Sequence, residues 1–264
     1  MEIIAKISKG TKMDQIYIQK QRAGFPIGNY VIIKPITEEK PIEKRKLYFR
    51  GLKEIEPIKI EIIEKIMNLI DKNIENDNII ITGSFLEKGF NFNDIDILII
   101  TKSKEKADNI EKETKEKIGI KPHIILFKAH TFKKALEIDP LWRLILYKCI
   151  SRKRLPPMPK RKLDYKYLDV QLIRSKTLID TFDILNGNEK YKLVRNLIAI
   201  YSFIKNKPIT SLTIENEISD KFEISIKKLQ DNIINKNFLK NYKNLYSILE
   251  KEVIENAGKQ EKIN

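Results

Sequence analysis

The residues best able to do chemistry lie in one segment, residues 79–100, which reads IIITGSFLEKGFNFNDIDILII. Asp94 and Asp96 flank a single isoleucine and run straight into the apolar stretch 97–100. An apolar run of this length bounded by turn residues reads as a buried strand. Residues two apart in a strand share a face, so the two carboxylates point the same way. Together they offer the hard oxygen ligands that Mg²⁺ takes. Upstream, residues 79–81 read as a second strand that ends at Gly83-Ser84. Gly83 lets an anion approach backbone N–H groups, and Ser84 adds a hydroxyl. Residues 85–93 leave room for a short helix and a turn. An anion cradle facing a carboxylate pair is what phosphoryl or nucleotidyl transfer needs. The plainer reading is a turn glycine followed by two aspartates that open a strand. Carboxylates in so apolar a context are costly unless liganded or exposed.

The order of strand, Gly83-Ser84, a spacer with an inner glycine at Gly89, and Asp94-Ile95-Asp96 before an aliphatic strand resembles the signature of the polymerase-beta-like nucleotidyltransferase superfamily. The match is to its minimal nucleotidyltransferase branch. The resemblance implies an α+β protein whose mixed-sheet nucleotidyltransferase domain spans residues 41–155. It implies Mg²⁺, with a two-metal site as one arrangement, and an NTP such as ATP as substrate. Asp94 and Asp96 would be catalytic metal ligands, and Gly83 and Ser84 would hold the β- and γ-phosphates. An acceptor hydroxyl would receive the nucleoside monophosphate and pyrophosphate would leave. Residues 122–127 read as a third strand, where the family usually carries a third carboxylate. Here the only polar side chain is His123. Imidazole is a poor ligand for Mg²⁺ but can serve as a general base near neutral pH. The plain alternative is a strand-end histidine bonded to a carbonyl. The missing acid also keeps a second function open: a nucleotidyltransferase-like regulator that binds nucleotide or nucleic acid without turning it over.

The chain has 264 residues, of which 51 are basic and 36 acidic, for a net charge of +15. Such a surplus favours nucleotides, RNA, DNA or another anionic surface as partner. The single cysteine, Cys149, excludes an internal disulfide framework and fits a reducing compartment, so the expectation is a cytoplasmic protein. The start MEIIAKISKG has no signal-peptide core, and no apolar run reaches membrane-spanning length.

The elements that must position the site are read in chain order. Residues 3–7, 16–18 and 30–36 read as short strands of a small N-terminal β module, residues 1–40. The stretch IYIQKQRAGFPIGNYVIIKPI resembles the AbrB-like swapped-hairpin module. That resemblance implies a homodimer with interleaved strands and basic loops on DNA; the alternative is a packing extension. Residues 37–57 form a connector, with Tyr48-Phe49 as a short strand. From Ile58 the positions Ile62, Ile66, Leu69 and Ile70 follow helical spacing. Residues 104–117 read as a polar helix, and residues 131–137 as another with Thr131 as N-cap. A helix over 139–147 carries Pro140 in its first turn. Residues 151–162, SRKRLPPMPKRK, read as a basic linker that is either solvated or a phosphate contact. The rest, residues 160–258, reads as a C-terminal helical bundle. Its first helix is marked by Leu168 and Leu172 and closed by Asn186-Gly187. Residues 193–203 make a buried central helix, and Phe238 to Leu249 mark a last long one. The bundle resembles helical partners of minimal nucleotidyltransferases, including the HEPN group. Arg195-Asn196 is present, but Ile200 and Tyr201 stand where that group's histidine would fall. The bundle therefore reads as non-catalytic.

Overall fold

Isoleucine-rich segments build the middle of a five-stranded mixed sheet. Its strands are β3 (Tyr48–Arg50), β4 (Asn78–Thr82), β5 (Asp94–Ile100), β6 (Lys121–Phe127) and β7 (Cys149–Ser151), following β1 (Ile7–Ser8) and β2 (Gln15–Ile16) of a separate two-stranded sheet. The computed structural model describes residues 7–18, 27, 28, 30–33, 46–102 and 107–261. The chain divides into two units, Met1–Glu43 and Lys44–Asn264. Sheet and helical bundle belong to the second. The strand order is β3-β7-β4-β5-β6, antiparallel throughout except for the parallel pair β5 and β6.

Helices cover both faces of this sheet. Helix α1 (Pro57–Asn73) opens on a proline that needs no N–H partner. Its Ile63, Ile66, Met67 and Ile70 pack on Ile79, Ile81, Ile95, Ile97 and Ile99, with Ile110 of α2 (Asp108–Ile118) beside them. On the opposite face Ile80, Leu98 and Ile100 meet Phe132 and Leu136 of α3 (Ala129–Ile138). The alternation along β5 therefore sends Ile95, Ile97 and Ile99 towards α1, and Asp94, Asp96, Leu98 and Ile100 the other way. Helix α4 (Pro140–Ile145) starts with Pro140 in its first turn and Asp139 as N-cap, accepting from Leu141 N–H. Trp142 packs edge-on against Phe127 rather than facing solvent.

The bundle comprises α5 (Tyr165–Asp180), α6 (Gly187–Ile204), α7 (Ser211–Phe222), α8 (Ile226–Gln230) and α9 (Phe238–Glu261). As its apolar sequence requires, α6 is the central element, with Val194, Leu197, Ile198 and Phe203 buried. Among the described residues no helix is long and apolar enough to cross a membrane.

Several local expectations give way. Thr131 is not an N-cap: α3 starts two residues earlier, behind Lys128. Asn186-Gly187 does not close α5, which ends at Asp180. Instead Asn186 caps α6 in a reciprocal box with Glu189, because a side-chain oxygen that can accept N–H groups serves a helix start equally well. The helix over 139–147 stops at Ile145, and Cys149–Ser151 becomes the strand β7 between β3 and β4. The polar helix begins at Asp108, with residues 103–106 outside the described set. In the N-terminal unit, β1 and β2 pair Ile7 with Ile16 and Ser8 with Gln15. Residues 30–33 form no strand, and residues 1–6, 19–26 and 34–36 lie outside the described residues.

The basic segment 151–162 is held to the rest of the chain at two of its arginines. Arg152 pairs with Asp71 at 3.1 Å and donates to Asn68 Oδ1 at 2.7 Å. Arg161 donates to the Ser202 carbonyl at 3.1 Å, pinning the segment to the bundle. Lys153, Arg154, Lys160 and Lys162 remain exposed.

Candidate active site at the sheet rim

The expected site residues meet at one end of the sheet. β5 enters with Asp94 and Asp96 half-buried and Ile95 buried between them. Register places Asp96 opposite Thr82 on one side and opposite His123 on the other. Gly83 follows directly, with φ +84°. A Cβ built on it would lie 2.1 Å from Asp96 Oδ2 and 3.0 Å from the carboxylate carbon. The backbone conformation disfavours a side chain there, and one could enter only by displacing the Asp96 carboxylate. The second oxygen of Asp96, Oδ1, lies 3.0 Å from His123 Nδ1. The pair is open to solvent, with side-chain exposures of 36% for Asp96 and 58% for His123. His123 is thus bonded to a carboxylate and not to a carbonyl. His130 sits apart, exposed in the first turn of α3.

Ser84 is exposed and opens a 3₁₀ turn, Ser84–Leu86. Leu86 N–H donates to the Gly83 carbonyl and Glu87 N–H to that of Ser84. Phe85 and Leu86 are buried and anchor the turn. The rest of the connection to Asp94 is fixed by two residues that the sequence reading did not single out, Lys59 and Glu56, from the start of α1. Lys59 is fully buried. Its Nζ donates to the Glu87 carbonyl at 2.5 Å and pairs with Glu56 Oε2 at 3.0 Å. The rings of Phe85, Phe90 and Phe92 surround the ammonium at 5.3–5.7 Å, a cation–π enclosure. Glu56 Oε1 accepts from Gly89 N–H at 2.6 Å. That bond, followed by the Lys59 side chain, holds the Glu56 carboxyl down at about 2. The signal was present in the pattern: Lys59 stands one turn before Ile63, on the stripe that continues through Ile66 and Ile70. A lysine on an apolar stripe needs a buried partner.

Comparison with family models, with curated proteins and with solved structures finds no match. The chemistry of the rim therefore rests on its own donor set. Among the described residues no group of three or more His, Cys, Asp or Glu side chains is arranged to hold a metal ion. Asp94 and Asp96 fit a looser mode, in which Mg²⁺ takes one or two carboxylates and completes its shell with substrate phosphates and waters. In the bundle Arg195 lies half-buried on α6, where burial lowers its pKa. The chain's only histidines, His123 and His130, lie outside that bundle.

Proposed function

We propose that this chain moves a nucleoside monophosphate from an NTP, with ATP the first to test, to an acceptor hydroxyl, releasing pyrophosphate. The observation that carries the reading is the contact between the Gly83 α-carbon and the Asp96 carboxylate. It brings a glycine-serine turn suited to phosphate against an acid suited to metal. Asp94 and Asp96 would hold Mg²⁺, which when bound offsets charge on the phosphates and on the leaving pyrophosphate. Gly83 and Ser84 would seat the tail phosphates through backbone N–H groups and the exposed hydroxyl. With its proton on Nδ1, His123 donates to Asp96 and leaves Nε2 free to accept the proton of an incoming hydroxyl. Asp96 would use Oδ1 for His123 and keep Oδ2 on the Gly83 side.

The test is pyrophosphate release and transfer of label from α-labelled NTPs with Mg²⁺ or Mn²⁺. Wild type should turn over, whereas Asp94→Asn and Asp96→Asn should lose metal-dependent nucleotide binding. Unchanged Mg²⁺-ATP affinity in both variants would refute the assignment. One observation favours a second reading, a regulator that binds nucleotide without turnover: among the described residues no group of three or more His, Cys, Asp or Glu side chains is arranged to hold a metal ion. Tight, Asp96-dependent ATP binding with no product from any acceptor would select it. In either case the +15 charge and the exposed Lys153, Arg154, Lys160 and Lys162 support a contact with RNA or DNA, which a salt titration of affinity would reveal.

A further inference from the structure

A charge pair beside the Gly83-Ser84 turn is not used by the site as described so far. Lys148 immediately precedes β7. Its carbonyl accepts from Thr82 Oγ1 at 3.0 Å, so its main chain runs alongside the end of β4 where Gly83 begins. Its Nζ lies 2.9 Å from both carboxylate oxygens of Glu87. Glu87 is the residue whose N–H closes the 3₁₀ turn on Ser84. The pair is only partly buried, with side-chain exposures of 29% for Lys148 and 58% for Glu87. Both residues line a cavity of about 700 Å³ whose walls also include Leu86, Lys53 and Lys88. Among the cavity's other carboxylates, Glu56 is committed to Lys59 and Gly89, and Glu54 and Glu215 line it together with Lys53 and Lys88.

We infer that Lys148 receives the terminal phosphate of the nucleotide's polyphosphate tail, and that Glu87 occupies its ammonium when no tail is bound. The inference rests on the nucleotidyl-transfer reading above and extends its phosphate site by one residue. β7 and β5 flank β4 in the sheet, and strands stand about 4.8 Å apart, so β7, which Lys148 precedes, and β5, which carries Asp96, are about 10 Å apart. A triphosphate and a lysine side chain together bridge such a span. Lysine binds phosphate as a point charge. The carboxylate it gives up is exposed and weakly held.

The experiment measures affinities of the full chain for Mg²⁺-ATP, tripolyphosphate and AMP by calorimetry. Lys148→Met should weaken ATP and tripolyphosphate by about tenfold or more, the worth of a charge-assisted bond, and leave AMP unchanged. Lys148→Arg should recover most of that loss. Glu87→Gln should tighten ATP by roughly two- to fivefold, because the competing carboxylate is gone. A melting curve like that of wild type shows that each variant is folded. ATP binding that depends on Asp96 but not on Lys148 would overturn this inference and leave nucleotidyl transfer standing. Equal weakening of ATP and AMP in Lys148→Met, or weaker ATP binding in Glu87→Gln, would also overturn it. Wild-type ATP binding that is absent, or indifferent to Asp96→Asn, would remove the wider reading and this one with it.

Discussion

The α-carbon of Gly83 rests against the carboxylate of Asp96 so closely that a methyl group at Gly83 would lie 2.1 Å from Oδ2. Gly83→Ala therefore strains a backbone at φ +84°, ψ −165°, a region almost only glycine adopts, at a cost of about 1–3 kcal/mol. It also pushes Asp96 off its position. The expected outcome is a folded protein with a slightly lower melting temperature and a loss of Mg²⁺-nucleotide affinity much larger than that strain. Calorimetric binding beside a thermal melt checks both parts. Wild-type affinity in Gly83→Ala would show that the contact has no bearing on the site.

Lys59→Met keeps the stem that fills the space among Phe85, Phe90 and Phe92 but removes the ammonium. The Glu87 carbonyl and Glu56 then lose their buried donor, which should destabilise the chain by about 1–3 kcal/mol. The local effect should be larger than the global one. Amide hydrogen exchange should quicken at residues 84–93 while β4 and β5 stay protected. Uniform loss of protection across the sheet would mean that Lys59 holds the core rather than the loop.

Glu56 makes stability sensitive to acid. Its folded carboxyl sits at about 2, below its ordinary value near 4.5, held there first by Gly89 N–H and then by Lys59. A group lowered in the folded state contributes stability above the unfolded value and loses it as pH falls through the folded one. Denaturant unfolding between pH 5 and pH 2 should therefore show falling stability, and Glu56→Gln should flatten part of that fall. Parallel curves for the two proteins would show that other acids account for it.

His123 divides the two functional readings. If its Nε2 takes the proton of the attacking hydroxyl, His123→Ala should lower turnover by about 10²-fold or more and barely change Mg²⁺-ATP affinity. His123→Asp places a hard oxygen ligand beside Asp96 and should raise metal-dependent turnover above that of His123→Ala. Pyrophosphate release by wild type and both variants measures this. Brisk turnover unaffected by either change would show that another residue does the work.

Local pattern alone determined several parts of this protein. Residues 79–81 and 97–100 read as strands because short β-branched apolar runs between turn residues suit buried strands. The shared face of Asp94 and Asp96 followed from the period of two. Pro140 marked a helix start because proline lacks the N–H that a first turn leaves unused, whereas Pro57, read as part of the connector, opens α1. The tertiary structure decided everything that depends on partners distant in the chain. Register across a parallel pair brought His123 to Asp96, since nothing local to either strand sets that alignment. β7 entered the sheet between β3 and β4 because three apolar-flanked residues make a strand only where neighbours supply the hydrogen bonds. Lys59 could be buried because three rings and the Glu87 carbonyl converge on it from another segment, beside Glu56 of its own helix start. Arg152 and Arg161, two of the six basic side chains of an apparent linker, became struts because Asp71 and the Ser202 carbonyl lay within reach. Spacing carries the first kind of information because backbone geometry repeats along the chain. The second kind exists only once the sheet has chosen its order.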